Sequence, residues 1–249
     1  MTLHFIRGPE LVFAKLKARH QVDDRPLAHL LETSKKTVLL GIGLRLAENG
    51  GSSLYQALAV SYIVKVVGLK GSTGSLSLVC AASVGALVVP LAGMLSDRYG
   101  RVIAYRSFAI FQLLIVFPVW WVLSRGDVAS SIVAMSIALG AGVWGMFGAQ
   151  GAFLPDLFGA RHRYIGVAMA REVSAVIAGG VAPLIGAGII AWTTSVNGGT
   201  KEAAILSWIP LAAYLSLLTV ITVITTFYTP EPSGRDLDDP RDAIQAQQA

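Results

Sequence analysis

Charged and polar side chains inside apolar stretches are the strongest candidates for chemistry in this sequence. One set comprises Arg45, Glu48, Asn49, Ser52 and Gln56, and a second comprises Arg171 and Glu172. Spacings of three, four and seven residues place the first set along one face of a helix. An isolated arginine at the centre of a membrane helix costs about 2.5–3.5 kcal/mol. Each of these arginines should therefore be paired or should face water.

The two sets lie at matching depth, because each arginine follows the start of its apolar segment by seven residues. Two interpretations remain open. In the first, a proton that reaches a buried glutamate breaks an ion pair and frees an arginine for an anionic substrate. In the second, the ion pair is a fixed structural bridge that neutralises two costly charges.

Two further side chains of the fourth apolar segment could face a cavity. Trp144 would form part of its wall, and Gln150 would supply a hydrogen-bonding group. The alternative is ordinary helix packing with a satisfied polar side chain, and for Trp144 we favour packing. In the fifth segment, Gly179, Gly180 and Pro183 predict a kink, since proline removes a backbone donor and clashes with the preceding turn. The kink could be a hinge or a permanent bend.

The elements that would position these residues are membrane helices. The chain has 249 residues, of which 54% are hydrophobic and 14% charged, against about 25% charged in ordinary soluble domains. About 20 apolar residues span a hydrocarbon core, which predicts an all-α integral membrane protein with six transmembrane helices. The six segments are Val38–Val67, Leu76–Leu95, Ile103–Leu123, Val128–Leu154, Tyr164–Trp192 and Ala203–Tyr228.

Basic residues set the predicted orientation. With the N-terminus inside, inner regions hold fourteen Lys and Arg residues and outer regions four, in agreement with the positive-inside rule. Both termini are therefore predicted to be cytoplasmic. Residues 1–37 form a polar, basic cytoplasmic segment, residues 38–228 the six-helix domain, and residues 229–249 a tail predicted to be disordered.

The connection between the second and third segments is short and highly charged. Gly93 would let helices approach closely, and Gly100 would allow a turn with positive φ. Together with the fourth connection, it supplies the residues of a possible ion-pair latch at a cytoplasmic gate. The latch residues are Asp97, Arg98, Arg101, Asp156, Arg161 and Arg163, and Gly93 and Gly100 belong to the same gate. The alternative is solvated loop charge, because exposed ion pairs contribute only about 0–1 kcal/mol each.

The pattern G-x-x-x-D-R-x-G-R at 93–101 resembles the signature loop of the major facilitator superfamily of transporters. The connection at 154–166 is similar to the acidic-Leu-Phe…Arg-Tyr-x-Gly loop of its metabolite:proton symporter family, with Asp156 where that family often has glutamate. Residues 43–49 resemble the start of that family's seventh helix and residues 179–185 its eleventh. The similarity covers Pro9 to Pro232 and matches only the second six-helix half.

This resemblance implies that the first and fifth segments are neighbouring helices. We therefore predict a cross-helix ion pair, either Glu48 with Arg171 or Arg45 with Glu172. It also implies proton-coupled symport of a small polar metabolite, a carboxylate or a zwitterion, across a bacterial inner membrane. A missing N-terminal half or a second copy of the chain would complete the substrate site, since substrate lies between the two halves of such transporters.

The competing hypothesis is a non-transporting membrane protein, either a truncated product or an interaction subunit of a larger complex. An enzyme is not expected, because the sequence contains no zinc motif, nucleophile elbow or phosphate-binding loop. No cofactor and no nucleic-acid partner are expected either. The basic residues lie in loops, where contact with lipid headgroups explains them.

Overall fold

The structure, a computed structural model, describes residues 30–32, 34–158 and 163–233. Residues between 35 and 228 form six helical runs joined by short connections. They are α1 (35–67), α2 (Gly71–Tyr99), α3 (Arg101–Ser124), α4 (Val128–Leu157), α5 (Arg163–Val196) and α6 (Lys201–Tyr228). Each run contains one of the six predicted segments and extends beyond it by a few residues. The described ranges contain no β-strand.

Five of these helices, α2 to α6, are long and apolar enough to cross a membrane. Helix α1 does not meet the same criterion of length and composition within the described residues, and it carries Arg45, Glu48 and Lys65. The prediction of an all-helical membrane bundle is confirmed at this level. Most of the predicted segments 1–37 and 229–249, and Arg161, lie outside the described residues.

Helix α1 lies inside the bundle, where it packs chiefly against α5 and α6 and also touches α4. Glycines permit these close approaches. A Cβ atom at Gly41 would lie 2.9 Å from Cβ of Ala170 in α5, and one at Gly43 would lie 2.6 Å from Oγ1 of Thr225 in α6. A side chain at Gly41 would push α5 away from the polar residues that follow in α1, and one at Gly43 would displace the Thr225 side chain.

The connection between α2 and α3 is tighter than the sequence suggests. Residues 93–99 are helical, and the chain reverses at a single residue, Gly100, with φ of 100° as predicted. The close approach expected at Gly93 occurs instead at Gly148 of α4, where a Cβ atom would lie 2.9 Å from Cα of Val89. A Cβ at Gly93 itself would meet Gly148 O at an ordinary 3.9 Å. We call this side of the bundle the Gly100 end.

Several helices contain π-helical turns. These include Leu54–Ala59 and Tyr62–Val67 in α1, Ser136–Val143 in α4 and Ala175–Gly180 in α5. In α5 the helix is interrupted at Val181, directly after Gly179 and Gly180 and before Pro183. The predicted interruption of the fifth segment is therefore present. Wider turns of this kind often mark functional positions in helices.

The helices bury two apolar clusters at successive depths. The cluster nearer the Gly100 end includes Tyr105 and Phe153, whose ring centroids are 5.5 Å apart, and the other includes Tyr55 and Trp120, at 6.1 Å. The outer surface is also apolar.

Large aliphatic side chains stand out from the bundle on three helices. Leu87 in α2 is 71% exposed, Leu114 in α3 70% and Leu184 in α5 73%. A surface this apolar suits contact with lipid or with another membrane-embedded chain.

Candidate functional site

Arg45 is the centre of a buried polar cluster between α1 and α4. Its Nη1 donates a hydrogen bond of 2.6 Å to Oε1 of Gln150, and its Nη2 lies 2.8 Å from Oε2 of Glu48. Nη2 also donates to Oδ1 of Asn49 at 3.3 Å. Arg45, Glu48 and Gln150 are 5%, 5% and 4% exposed. The structure therefore brings together four of the predicted site residues.

Helix α5 joins this cluster through a residue that the sequence reasoning missed. Nδ2 of Asn49 donates to the hydroxyl oxygen of Ser174 at 2.7 Å, and that hydroxyl donates to the carbonyl of Ala170 in its own helix. We refer to Arg45, Glu48, Asn49, Gln150 and Ser174 as the Arg45 cluster. A readable signal was present, because small residues recur at 166, 170 and 174 and form the buried stripe of α5.

The predicted cross-helix ion pairs are wrong. Glu48 pairs with Arg45, three residues earlier in the same helix. Arg171 and Glu172 are exposed and have no ion-pair partner in the part of the chain that the structure describes. The physical reason is the rotation of α5, because its small-residue stripe packs on α1 and turns the neighbouring position 171 away.

Arg171 and Glu172 instead line an open groove of about 530 Å³ beside the Gly100 end of α4 and α5. Arg163 and Tyr164 line the same groove, and Nε of Arg163 donates to the carbonyl of Pro155 at 3.2 Å. The groove therefore carries charges of both signs.

The two remaining residues of the predicted site lie elsewhere. Gln56 donates to Oγ of Ser52, one turn earlier in its own helix, and is exposed. Trp144 is half-buried, and its indole ring packs directly on Gly85 of α2, which leaves no room for a Cβ atom there. The packing interpretation therefore accounts for the contact of Trp144.

The Arg45 cluster is incompletely satisfied. Nε of Arg45, Nε2 of Gln150 and Oε2 of Glu48 are buried and have no hydrogen-bond partner among the described residues, although the Glu48 oxygen lies in the ion pair. A buried polar atom left in this state costs about 1–3 kcal/mol. Nε of Arg45 and Nε2 of Gln150 are donors that can bind a carboxylate, and the Glu48 carboxylate beside them can take a proton.

A second ionic cluster lies at the Gly100 end. Arg101 forms ion pairs with Asp97 in α2 and, from Nε to Oδ2 at 3.3 Å, with Asp156 in α4. Arg98 is exposed and stacks over the ring of Tyr99 instead, 5.5 Å from its centroid. We refer to Asp97, Arg101 and Asp156 as the Arg101 cluster. Neither Arg98 nor Arg163 joins it.

Glu231 completes this end of the bundle and was not anticipated. Its carboxylate accepts hydrogen bonds from the backbone amides of Arg101 at 2.7 Å and Val102 at 2.9 Å, at the start of α3. A Cβ atom at Gly100 would lie 3.0 Å from this carboxylate. Acidic groups are stabilising at helix N-termini, where amides lack partners. The signal available was an acid between two prolines, just after the last helix.

The residues before Glu231 are also attached to α3. Nε and Nη2 of Arg106 donate to Oγ1 and the carbonyl of Thr226 at 2.9 and 2.8 Å, and the guanidinium lies 4.0 Å from the ring centroid of Phe227. The end of α6 and the start of α3 are thus held together at several points.

Comparisons with known proteins point to transport. The chain is 26% identical over 238 residues to the YdfJ protein of Escherichia coli, covering 95% of this chain and 53% of YdfJ. It is 26% identical over 255 residues to the inner membrane metabolite transport protein YhjE of the same species, covering 94% and 54%. It is 26% identical over 160 residues to the ectoine/proline transporter ProP of Corynebacterium glutamicum, covering 64% of this chain and 31% of ProP. Further matches are named as transporters of shikimate and of proline and betaine.

The chain spans about half the length of the curated relatives it matches most extensively. No family model matches it, and no solved structure matches it. The relatives found are all named as transporters and none as an enzyme. Together with the five apolar helices, they show an integral membrane protein related to transporters. The resemblance to transporters of the major facilitator type is thereby confirmed: the chain is similar to such transporters and spans about half of their length.

Proposed function

We propose that this chain is the C-terminal six-helix half of a secondary active transporter. It would move a small polar metabolite, a carboxylate or a zwitterion, together with a proton. In this proposal α1 also spans the membrane, the membrane is the bacterial inner membrane, and both termini are cytoplasmic. The names of the relatives, which include transporters of proline, ectoine and shikimate, support this class of substrate.

One observation carries the proposal: a buried arginine–glutamate pair lies beside two buried donors that have no partner among the described residues. Nε of Arg45 and Nε2 of Gln150 could bind a substrate carboxylate, since an arginine fork matches its two oxygens. Protonation of Glu48 would remove its charge and release Arg45 toward that anion. This sequence of events would couple proton binding to substrate binding at one guanidinium.

The remaining predicted site residues are assigned supporting roles. Asn49 would hold the guanidinium against α5 through Ser174, and Gln56 and Trp144 would lie further along the substrate path. Arg171 and Glu172, in their groove, would meet the substrate or the other half of the transporter. Their opposite charges suit a zwitterion or a partner surface that carries both signs.

The Gly100 end would act as the cytoplasmic gate. The Arg101 cluster links α2, α3 and α4, so separating α4 from the α2–α3 hairpin during gating would require the Arg101–Asp156 ion pair to break. Gly100 would allow the ends of α2 and α3 to meet, and Gly93 would face Gly148 of α4. Arg98 and Arg163 would bind loops of the other half or lipid headgroups. The gate would then favour one of the two states of alternating access.

The partner would be an N-terminal six-helix half or a second copy of this chain. The exposed aliphatic faces of α2 and α5, with Leu87 and Leu184, and the chain's span of about half its relatives support a partner that covers these faces. Substrate in such transporters is bound between two halves, so the Arg45 cluster would form one wall of the site.

Uptake in proteoliposomes tests the proposal. The chain alone would be compared with a version joined to the N-terminal half of YdfJ, using radiolabelled proline and shikimate as probes, with and without an inward proton gradient. We expect gradient-driven uptake of at least one probe by the joined protein, lost in Glu48→Gln and retained in a Ser83→Ala control, whose exposed hydroxyl bonds to Val79 in its own helix. If the rate of uptake by the joined protein is the same with and without the proton gradient, and is unchanged in Glu48→Gln, proton coupling would be contradicted.

If the joined protein assembles but takes up neither probe, the chain would instead fit a non-transporting interaction subunit. Its exposed apolar faces would then bind another membrane protein. Co-purification of a partner with the chain alone, without uptake, is the result expected of that second function.

A further inference from the structure

The backbone of α1 is bridged by a side chain of α6 in the turn that carries Arg45. The hydroxyl of Thr222 donates to the carbonyl of Gly43 at 2.8 Å and accepts from the amide of Ala47 at 3.0 Å. In a regular α-helix these two backbone groups bond to each other, since the amide of one residue pairs with the carbonyl four positions earlier. The Thr222 hydroxyl therefore contacts both backbone groups of one turn of α1, which is α-helical over Lys35–Ser53.

A second hydroxyl holds the adjacent carbonyl. The phenol of Tyr105 in α3, which is 1% exposed, donates to the carbonyl of Leu44. Two consecutive carbonyls of α1, just before Arg45, are therefore held by hydroxyl groups from two different helices. Because both hydroxyls are buried, water cannot take the place of either one at these carbonyls.

Helix α1 has a specific need for such support. Glycine occurs at positions 41, 43, 50 and 51, and glycine adds backbone freedom to a helix. The same glycines bring the supporting helix near, since a Cβ atom at Gly43 would meet Oγ1 of Thr225 at 2.6 Å. The α1 turn that carries the buried Arg45 guanidinium is thus rich in glycine, and hydrogen bonds from α3 and α6 hold its backbone in place.

We propose that Thr222 and Tyr105 are positioning residues for Arg45. They fix the turn at 43–48 so that the guanidinium reaches Gln150 while it remains paired with Glu48. The consequence for transport rests on the function proposed above, whereas the support of the α1 backbone does not. Neither residue touches substrate in this proposal.

Helix α6 provides a matched control. Thr219 is fully buried, as Thr222 is, and lies three residues earlier in the same helix. Its hydroxyl donates only to the carbonyl of Leu215 in its own helix. Replacing either threonine with valine preserves the shape of the side chain and removes the hydroxyl, so the two variants differ in whether a bond to α1 is lost.

Hydrogen–deuterium exchange of the purified chain in detergent tests the structural part. Thr222→Val should speed exchange of the peptide that covers 43–48 roughly fivefold, the factor expected from loss of one hydrogen bond of about 1 kcal/mol. Thr222→Ser should restore the slow rate, and Thr219→Val should leave it unchanged. Tyr105→Phe should act in the same direction as Thr222→Val. Unchanged or slower exchange in both Thr222→Val and Tyr105→Phe would overturn the proposal.

Uptake by the joined protein tests the functional part. With proline or shikimate as the probe, Thr222→Val should raise KM roughly five- to tenfold and leave the maximal rate within about twofold, because a displaced guanidinium binds the anion less well. Thr222→Ser keeps the hydroxyl and should have the KM of the parent protein. A loss of folded protein would lower the maximal rate and would not raise KM. If hydrogen–deuterium exchange becomes faster in Thr222→Val but the parent joined protein takes up no probe, the proposed transport function fails. The proposal that Thr222 and Tyr105 support the α1 backbone is then retained. Uptake with an unchanged KM in Thr222→Val would overturn the role in positioning Arg45.

Discussion

The Arg45 and Arg101 clusters use the same chemistry in two different surroundings. In each, one arginine contacts an acid in its own sequence neighbourhood and an oxygen from α4. The side chains of Arg45 and Glu48 are 6% and 7% exposed. In the Arg101 cluster those of Arg101 and Asp156 are 18% and 20% exposed, and that of Asp97 is 70% exposed. The comparison teaches that the contribution of an ion pair to stability cannot be judged until its burial is known. A buried pair that loses one member costs several kcal/mol, and an exposed pair contributes about 0–1 kcal/mol.

The largest expected effect comes from breaking the buried pair. Arg45→Met leaves the Glu48 carboxylate buried without its counter-charge, which should lower the free energy of unfolding by about 3–5 kcal/mol. Equilibrium unfolding of the purified chain in mixed detergent micelles measures this change. The double variant Arg45→Met with Glu48→Gln removes both charges and should recover most of the loss. A single variant as stable as the parent chain would show that the pair is hydrated, and the contrast between the two clusters would disappear.

An intermediate effect is expected at the carboxylate that caps α3. Glu231→Ala removes the acceptor for the amides of Arg101 and Val102, and such a cap is worth about 1 kcal/mol. The same unfolding measurement applies, with Glu172→Ala as the control, since that acid is exposed and has no ion-pair partner among the described residues. A loss equal to that of Arg45→Met would mean that the Gly100 end is as tightly organised as the buried cluster. An effect no larger than the control would remove Glu231 from the stability of this end.

The smallest effect is expected at the exposed pair. Asp97→Asn should lower the free energy of unfolding by no more than about 1 kcal/mol. The difference should shrink as salt is added, because ions screen charges that are open to water. Comparing the variant with the parent chain at low and high salt measures this. A larger difference that persists in high salt would place Asp97 in the same class as Glu48.

The helices themselves could be predicted because charged residues and glycines bound each apolar run and so fix where each helix begins and ends. The partner of Glu48 could not be predicted from the sequence. The sequence offered two arginines, and the choice depended on which face of α5 meets α1. The close contact between Gly41 and Ala170 fixes that face, brings Ser174 to Asn49 and turns Arg171 outward.

Other parts of the site required three-dimensional information for the same reason. Thr222 lies in an apolar helix with other threonines at 219, 225 and 226, and nothing in the sequence separates it from them. Only the packing of α6 on Gly43 places its hydroxyl in the backbone of α1. Glu231 likewise gains its role from a helix that begins 130 residues earlier.

The single-residue turn at Gly100 limits how the bundle can deform. Because only one residue connects them, α2 and α3 have no loop that would let them slide along each other. A tilt of one helix must therefore carry the other with it as a rigid hairpin. The hydrogen bonds from the start of α3 to Glu231 tie the far end of α6 to that hairpin. Any opening at this end would therefore carry α2, α3 and α6 together and would separate them from α4 at the Arg101–Asp156 ion pair.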